Sequence, residues 1–434
     1  MRRTADARRS HPNRAARLAL PAALAAAALV LTGCTADEPE PMPVPSEPAP
    51  SPTPFREVAP SGDGRLIIGT LLPTDGDTAG VAAAQIAAVE VAVRELNDNG
   101  GVLDEPVTVF HRNSGVEPGD GLEAAFAALV ERGVDVVIGP FSDALVEQAL
   151  PLAAEAGVAL ISTGATGGID GSGDGYFARV VATDYLQGLT IGQAVVADGA
   201  SSIAVIASDD AYGEAIADGV ADAAAASGTA SSAVVTVTAS NTGAASTVAD
   251  ADAVIVATSV ALADVTAGML ADLVDAGLST ASLWLTSAAA ADYSGSLDAG
   301  ALEGARGALL GADADDEFVE RLRFADPFLG GFRWAPEAYD AVLLAALAAT
   351  VIGDEGGASI IAGLPQVSRE GAPCTSYGEC LQFLIDEPDV GLNYEGLSGP
   401  LGMRVDGDLD EAAFGLAVYT DENRPVRDGI LLTN

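Results

Sequence analysis

Few side chains in this sequence could run a reaction, and their scarcity is informative. Beyond the first 34 residues there is one histidine, His111, placed within a β-like run Val107-Thr108-Val109-Phe110. Cys374 and Cys380 stand six apart in Pro-Cys-Thr-Ser-Tyr-Gly-Glu-Cys. With one strand histidine and no free thiol expected, Ser-His or Cys-His nucleophilic centres have few parts to draw on. Aspartates are abundant, and a carboxylate-dependent hydrolase stays open on composition alone, although Asp scattered among Ala commonly marks a solvated helix face. Two small-residue turns follow apolar runs: Gly-Pro-Phe-Ser at 139–142 and Ser-Thr-Gly-Ala-Thr-Gly-Gly at 162–168. Neither has the glycine spacing of a phosphate loop or a dinucleotide fingerprint, so no cofactor is expected. Both suit the capture of a small polar solute, because each offers backbone N–H groups and hydroxyls. Ser142 and Asp143 also open a helix whose N-terminal dipole favours an anionic group, or they simply cap it.

The two cysteines pair most naturally with each other. A metal site lacks a neighbouring histidine, whereas a disulfide closing so short a loop stabilises by about 2 kcal/mol on the chain-entropy estimate.

The elements that must hold these turns alternate along the chain. Leu66-Ile67-Ile68 reads as a strand and 79–98 as a helix, with Val81, Gln85, Ala88, Val89, Ala92 and Leu96 on one stripe and Asn99-Gly100-Gly101 as its stop. Strands at 107–110, 134–139 and 158–162 alternate with helices at 120–132 and 143–155. A second series has strands at 203–206, 233–237, 253–256 and 283–285, with helices near 185–197, 211–226 and 260–276. The connection at 240–250 has room for a single turn. Helices at 313–324 and 335–352 follow, then the cysteine loop and strands near 400–405 and 413–419. Repeated βαβ units imply parallel sheets covered on both faces. The fold class is therefore α/β with two Rossmann-like lobes facing a cleft, lobe 1 from 65–183 plus 308–398 and lobe 2 from 184–307 plus 399–434. Ligands in such sheets sit at the carboxyl ends of the strands.

The N-terminus speaks to location. Arg2, Arg3, Arg8, Arg9, Arg14 and Arg17 precede an apolar run of 14 residues, Leu18–Leu31. That run falls short of the roughly 20 residues a spanning helix needs and has the order of a secretory signal, residues 1–33. It ends in Leu31-Thr32-Gly33-Cys34, which resembles the bacterial lipobox, whose cysteine becomes the acylated N-terminus. Two kinds of acyl group would anchor the chain to a lipid bilayer at the extracellular face of the cell membrane. Residues 34–64 then form the anchor and a tether with nine prolines between 39 and 60, a composition that favours extended polyproline II. Loss of the leader, with six arginines and Asp6, takes the formal charge from −42 to −47. There is no lysine. So acidic a surface is a poor partner for nucleic acid and keeps a tethered monomer soluble.

Across 65–420 the chain resembles the type I extracellular solute-binding proteins of ABC importers, the group that includes branched-chain amino acid receptors. The resemblance rests on Ile-Gly-Thr-Leu-Leu-Pro (68–73), the run 88–101 ending Leu-Asn-Asp-Asn-Gly-Gly, Val-Val-Ile-Gly-Pro (136–140), Ala-Tyr-Gly (211–213), Glu-Ala-Tyr-Asp-Ala (337–341) and Tyr-Glu-Gly-Leu-Ser-Gly-Pro-Leu (394–401), in family order. It implies a two-lobed trap that delivers its solute to an ABC permease. Gly164 and Thr166, with Ala165 between them, fall where loop groups hold an amino acid's carboxylate and ammonium. Tyr212 falls where a second-lobe tyrosine caps the ligand, and Trp334 near an aromatic wall or in the core. Asp143 stands where a small hydroxyl residue binds carboxylate, and Ala79 and Ala288 where an aromatic and an acidic ammonium partner are often found. Either Asp143 takes over the ammonium contact or the solute is not an α-amino acid. The same fold would also serve a sensor lipoprotein without a transport role.

Overall fold

The structure, a computed structural model, describes residues 58–433 apart from 170–174, 229, 242–246, 249 and 388–389. The leader, Cys34 and the tether as far as residue 57 lie outside the described residues, as does most of the short connection at 240–250.

The first α/β series runs β1 (Ile67–Leu72), α1 (Ala79–Asp98), β2 (Thr108–Asn113), α2 (Asp120–Val130), β3 (Val136–Ile138), α3 (Asp143–Ala156), β4 (Ala159–Ser162) and β5 (Phe177–Arg179). The second runs α4 (Asp184–Ala197), β6 (Ser202–Ser208), α5 (Ala211–Ser227), β7 (Ser231–Val237), β8 (Ala253–Ala257), α6 (Ala263–Asp275), β9 (Leu283–Leu285) and β10 (Arg306–Leu309). The chain ends with α7 (Asp316–Ala325), α8 (Ala335–Ile352), α9 (Gly357–Val367), β11 (Ala372–Cys374), α10 (Tyr377–Asp386), β12 (Leu392–Tyr394), β13 (Ala413–Tyr419) and β14 (Pro425–Leu432).

Two sheets result. One has the order β2-β1-β3-β4-β5 and is parallel throughout. Its central strands β3 and β4 are buried at every residue, as strands covered on both faces must be. The other, β14-β13-β10-β9-β8-β6-β7, is parallel from β10 to β7 and antiparallel at β13 and β14. A small pair, β11-β12, lies apart. The α/β expectation with parallel sheets thus holds.

The helices that cover these sheets are apolar for a reason. Every residue of α8 from Ala335 to Ala349 is buried. It is long and apolar enough to span a membrane by composition, yet 83% of it is buried inside the protein, the mark of a core helix packed on α1 and α9. Helices α4 and α5 approach closely because glycine faces backbone: a Cβ on Gly188 would stand 2.2 Å from the Ile216 carbonyl oxygen, and one on Gly219 2.2 Å from that of Tyr185. The disulfide expected between Cys374 and Cys380 is formed and joins β11 to α10.

Several expected elements differ. The final strand pair is 413–419 with 425–432, not 400–405 with 413–419. Residues 403–409 instead form a narrow turn with a single bridge, Met403 to Leu409, and this turn docks on the edge of β5, where the Arg179 N–H donates to the Gly407 carbonyl at 2.9 Å. Alternating apolar residues at 400–405 mimicked a strand because Leu401 and Met403 are buried while Val405 is exposed. Strands β5, β10, β11 and β12 and helices α9 and α10 also emerge; the strands have only three or four residues each.

Candidate functional site

The turns singled out above lie at the carboxyl ends of the parallel strands. After β4, Ser162 organises the turn: its hydroxyl donates to the Pro140 carbonyl at 2.7 Å and accepts from Ala165 N–H at 3.1 Å. Gly164 then passes against Phe141 so closely that a Cβ there would lie 2.4 Å from both its ring and its carbonyl oxygen. Asp143, on the first turn of α3, reaches across and accepts from Gly167 N–H at 3.0 Å. From below, Arg179 donates through Nη1 to the carbonyls of Ala165 (3.0 Å) and Gly167 (2.7 Å), and through Nε to Asp408 at 2.6 Å. The loop 164–167 is therefore clamped on both its N–H and its C=O side.

These contacts place the expected residues. Asp143 and Ser142 are at the helix terminus, but Ser142 makes no capping bond with its side chain. Ala165 is fully buried, so its part is structural packing plus a carbonyl given to Arg179. Trp334 sits in the left-handed region (φ 68°) at the start of α8, edge-on to Phe141 with ring centroids 5.1 Å apart. Phe141 in turn lines a cavity of about 360 Å³ with Pro73, Thr78, Val116, Ser142 and Leu145. Ser142, Asp143, Gly164, Thr166 and Trp334 thus converge around Phe141 and its loop. Ala79 is the first residue of α1, next to Thr78 in the cavity wall.

A second wall comes from the other sheet. Asp210 caps α5, accepting from Gly213 N–H at 3.0 Å and from the Ser208 hydroxyl at 2.7 Å. Burial raises its pKa, but these hydrogen bonds outweigh burial and hold it below the ordinary carboxylate range. Tyr212 follows in the first turn of α5, its hydroxyl 3.3 Å from the Gln187 amide oxygen and accepting from Ala288 N–H at 3.4 Å. Gln187, itself buried, accepts from Ser287 N–H at 3.1 Å and donates to the Ser287 hydroxyl at 3.0 Å. Burial lifts the Tyr212 phenol to about 12, so it acts as a neutral hydroxyl. Ala288 contributes its backbone N–H, not a side chain.

Between the walls stands a residue that motif matching passed over. Asp184 opens α4 and is 5% exposed; the Thr183 hydroxyl that caps this helix accepts from Leu186 N–H. The Asp184 backbone N–H donates to Thr166 carbonyl at 2.9 Å. One carboxylate oxygen, Oδ1, is buried without any hydrogen-bond partner. Burial pushes its pKa up to about 6; Thr166 hydrogen bonding and Arg179 pull it down, while Asp143 and Asp210 push it further up. Both walls are thus within electrostatic reach of Asp184, and three carboxylates concentrate negative potential there. The cation that acts on it, Arg179, is 3% exposed and engaged with Asp408 and two carbonyls. Such a locus can hold a protonated amine. A Thr-Asp pair before a helical run was the available signal, but that pattern reads first as an N-cap. Arg179, Gln187 and Ser287 carry no local motif, and Phe141 was seen only as part of the 139–142 turn.

Known proteins show where this fold recurs. A family profile described as periplasmic binding protein matches residues 66–379. A Leu/Ile/Val-binding protein homolog from Brucella abortus (strain 2308) is 31% identical over 157 residues, 35% of this chain and 42% of the relative. The matched stretch is thus less than half the length of the curated relatives. Among solved structures, a substrate-binding protein from Streptococcus pneumoniae in complex with isoleucine shares 18% identity at a TM-score of 0.56, covering 85% of this chain and 99% of that one. One from Desulfitobacterium hafniense in complex with Leu shares 18% identity at 0.59, covering 84% and 100%. A solute-binding protein from R. palustris in complex with benzoate shares 17% identity at 0.55, covering 85% and 96%. At these identities the structures speak to the fold.

Proposed function

This chain belongs to the periplasmic binding protein family, and from that premise we propose that it is a lipid-anchored extracellular receptor that captures a small solute bearing a protonated amine, an amino acid or related compound, for an ABC importer. The observation that carries the solute class is the buried, unpartnered Oδ1 of Asp184, with Asp143 and Asp210 reinforcing its field. An ammonium would satisfy that oxygen and offset the cost of burying it, which for an unpaired charged group is several kcal/mol. A carboxylate presented alone would meet like charge from three directions. Asp184 then takes the part for which Ala288 has no side chain, and Thr166 and Tyr212 flank the amine with hydroxyls. Closure of the two lobes around the solute is the working motion, and the protein acts as a monomer without turnover. The acylated Cys34 and the proline tether fit a receptor kept beside a permease. A sensor of the same fold without transport would bind in the same way and differ in its membrane partner.

Thermal unfolding of the full chain in detergent tests the solute class against L-leucine, L-glutamine, putrescine, agmatine and benzoate. A ligand at 100 times its Kd adds about 2.7 kcal/mol of stability. Stabilisation by one or more amines, lost in Asp184→Asn, supports the reading. Binding of benzoate alone, amine binding indifferent to Asp184→Asn, or conversion of a probe to product would overturn it.

A further inference from the structure

We infer that Arg179 is the positioning residue of the solute site, and that Asp408 holds it in register, tying the loop 164–167 to the chain segment that leads into β13 of the other sheet. The inference rests on the solute site proposed above but draws on different residues. Arg179 ends β5 with its side chain 3% exposed, so neither solvent nor solute reaches its guanidinium. Its donors instead go to the chain: Nη1 to the carbonyls of Ala165 and Gly167, Nε to Asp408. Those two carbonyls bracket Thr166, whose own carbonyl receives Asp184 N–H. Arg179 thereby fixes the backbone on both sides of the residue that touches Asp184, and its charge also opposes the field of Asp143 and Asp210 there.

The partner of Arg179 comes from far along the chain. Asp408 belongs to the turn in which Arg404 N–H donates to the Asp408 carbonyl at 2.8 Å, and Gly407 of this turn accepts from Arg179 N–H at 2.9 Å. Five residues later the chain enters β13, which pairs with β10 and β14. A buried guanidinium with no carboxylate would swing toward any acceptor that lowers its desolvation cost, and the two loop carbonyls hold it only while Asp408 neutralises it. A planar fork with donors on two sides suits this geometry; a lysine ammonium lacks the directions to serve all three acceptors. The loop's shape therefore depends on where the 403–409 turn sits, a connection between the solute site and a segment joining the two sheets.

Hydrogen exchange on the full chain in detergent, reading a peptide that contains Gly167 N–H and another within α8, tests this without any ligand. The variants are Asp408→Ala, Asp408→Asn and Arg179→Lys, with Arg424→Gln, an exposed ion-pair residue in the turn between β13 and β14, as control. Asp408→Ala and Arg179→Lys are expected to speed exchange at the loop about tenfold or more, the scale of a charge-assisted hydrogen bond, while α8 stays protected. Asp408→Asn, which keeps an acceptor, restores part of the protection, and Arg424→Gln changes nothing. Unchanged loop exchange in Asp408→Ala, or loop and α8 loosening together, would overturn the inference. Titration of putrescine and L-leucine into the same variants separates the two readings. If the wild-type chain binds neither, the amine reading falters while loop exchange still judges the clamp; if it binds, Asp408→Ala weakens affinity about tenfold.

Discussion

The two walls of the candidate site are built on different physics. The loop wall is held by charge: Asp143 to Gly167 N–H, Arg179 to two carbonyls, Asp408 to Arg179. The Tyr212 wall has one carboxylate, Asp210, spent on capping α5, and is otherwise neutral, with Tyr212, Gln187, Ser287 and the Ala288 backbone sharing hydrogen bonds of 3.0–3.4 Å. Ionic clamps in low dielectric are strong and intolerant of a lost partner. Neutral networks with longer bonds re-form around small changes at modest cost. On the proposed reading the first wall is the fixed side and the second an adaptable cap, with Asp184 keeping an unpartnered carboxylate oxygen for the solute.

The largest effect expected from this contrast is on ligand choice. Asp184→Asn keeps the volume and removes the charge, and isothermal titration should give an amine affinity about a hundredfold weaker, as a charge-assisted pair worth roughly 2–3 kcal/mol is lost. Affinity for a neutral amide such as acetamide should hardly change. Equal losses for both would mean that Asp184 only supports the fold, and the contrast between walls would lose its centre.

Next in size is a packing change on the charged wall. Gly164→Ala sets a Cβ 2.4 Å from the Phe141 ring and carbonyl, and the backbone there has no slack because Ser162, Asp143 and Arg179 all hold the loop. Chemical denaturation should register a loss of about 1–3 kcal/mol. On the neutral wall, Tyr212→Phe should lose about 1 kcal/mol or less, because its bonds are long and the Gln187 amide oxygen retains the Ser287 N–H and hydroxyl as donors. A reversed order would show that the loop, not the Tyr212 wall, is the adaptable side.

What the sequence disclosed follows the same division. The βαβ rhythm, helix α1 over 79–98 and strand β9 over 283–285 were legible because periodicity is a local property. The turns at 139–142 and 162–168 were legible as small-residue loops after strands. Strand β5 escaped notice because Arg179 breaks the apolar pair Phe177-Ala178, whereas β9 is Leu-Trp-Leu, and the turn at 403–409 counterfeited a strand by alternation. The ionic clamp was invisible for another reason. Asp143 meets Gly167 24 residues away and Arg179 meets Asp408 at a separation of 229, and no spacing rule links positions so distant. Asp143 looked anomalous only because its acceptor role toward a loop N–H cannot be read from its neighbours. Asp184 was hidden by resembling a helix cap.

The smallest effect is also the one with opposite signs at Asp184 and at Asp210 of the Tyr212 wall. Asp184 titrates near 6 in the folded protein, above the 3.8 of an ordinary aspartate, chiefly through burial. A raised carboxylate binds its proton more tightly when folded, so its contribution to stability is full below 3.8 and is lost as pH rises through about 6. Asp210 is depressed below 3.8 by its hydrogen bonds, so its contribution is present above 3.8 and fades as pH falls through its folded value. Glu337 and Asp135, both raised to about 7 by burial, slope in the same direction as Asp184. Only differences between wild type and variant therefore isolate each carboxylate. From pH 7 to pH 5 the wild type should gain stability relative to Asp184→Asn, whereas Asp210→Asn should run nearly parallel to wild type there and separate from it only below pH 4. Amine affinity should move against stability, strengthening from pH 5 to pH 7 as Asp184 ionises, because the charge that destabilises the empty site is the charge the solute neutralises. Thermal melts and titrations across pH 4–8 read both slopes on the same preparations. If affinity and stability rose together, the orphaned oxygen of Asp184 would be serving the fold instead of the solute.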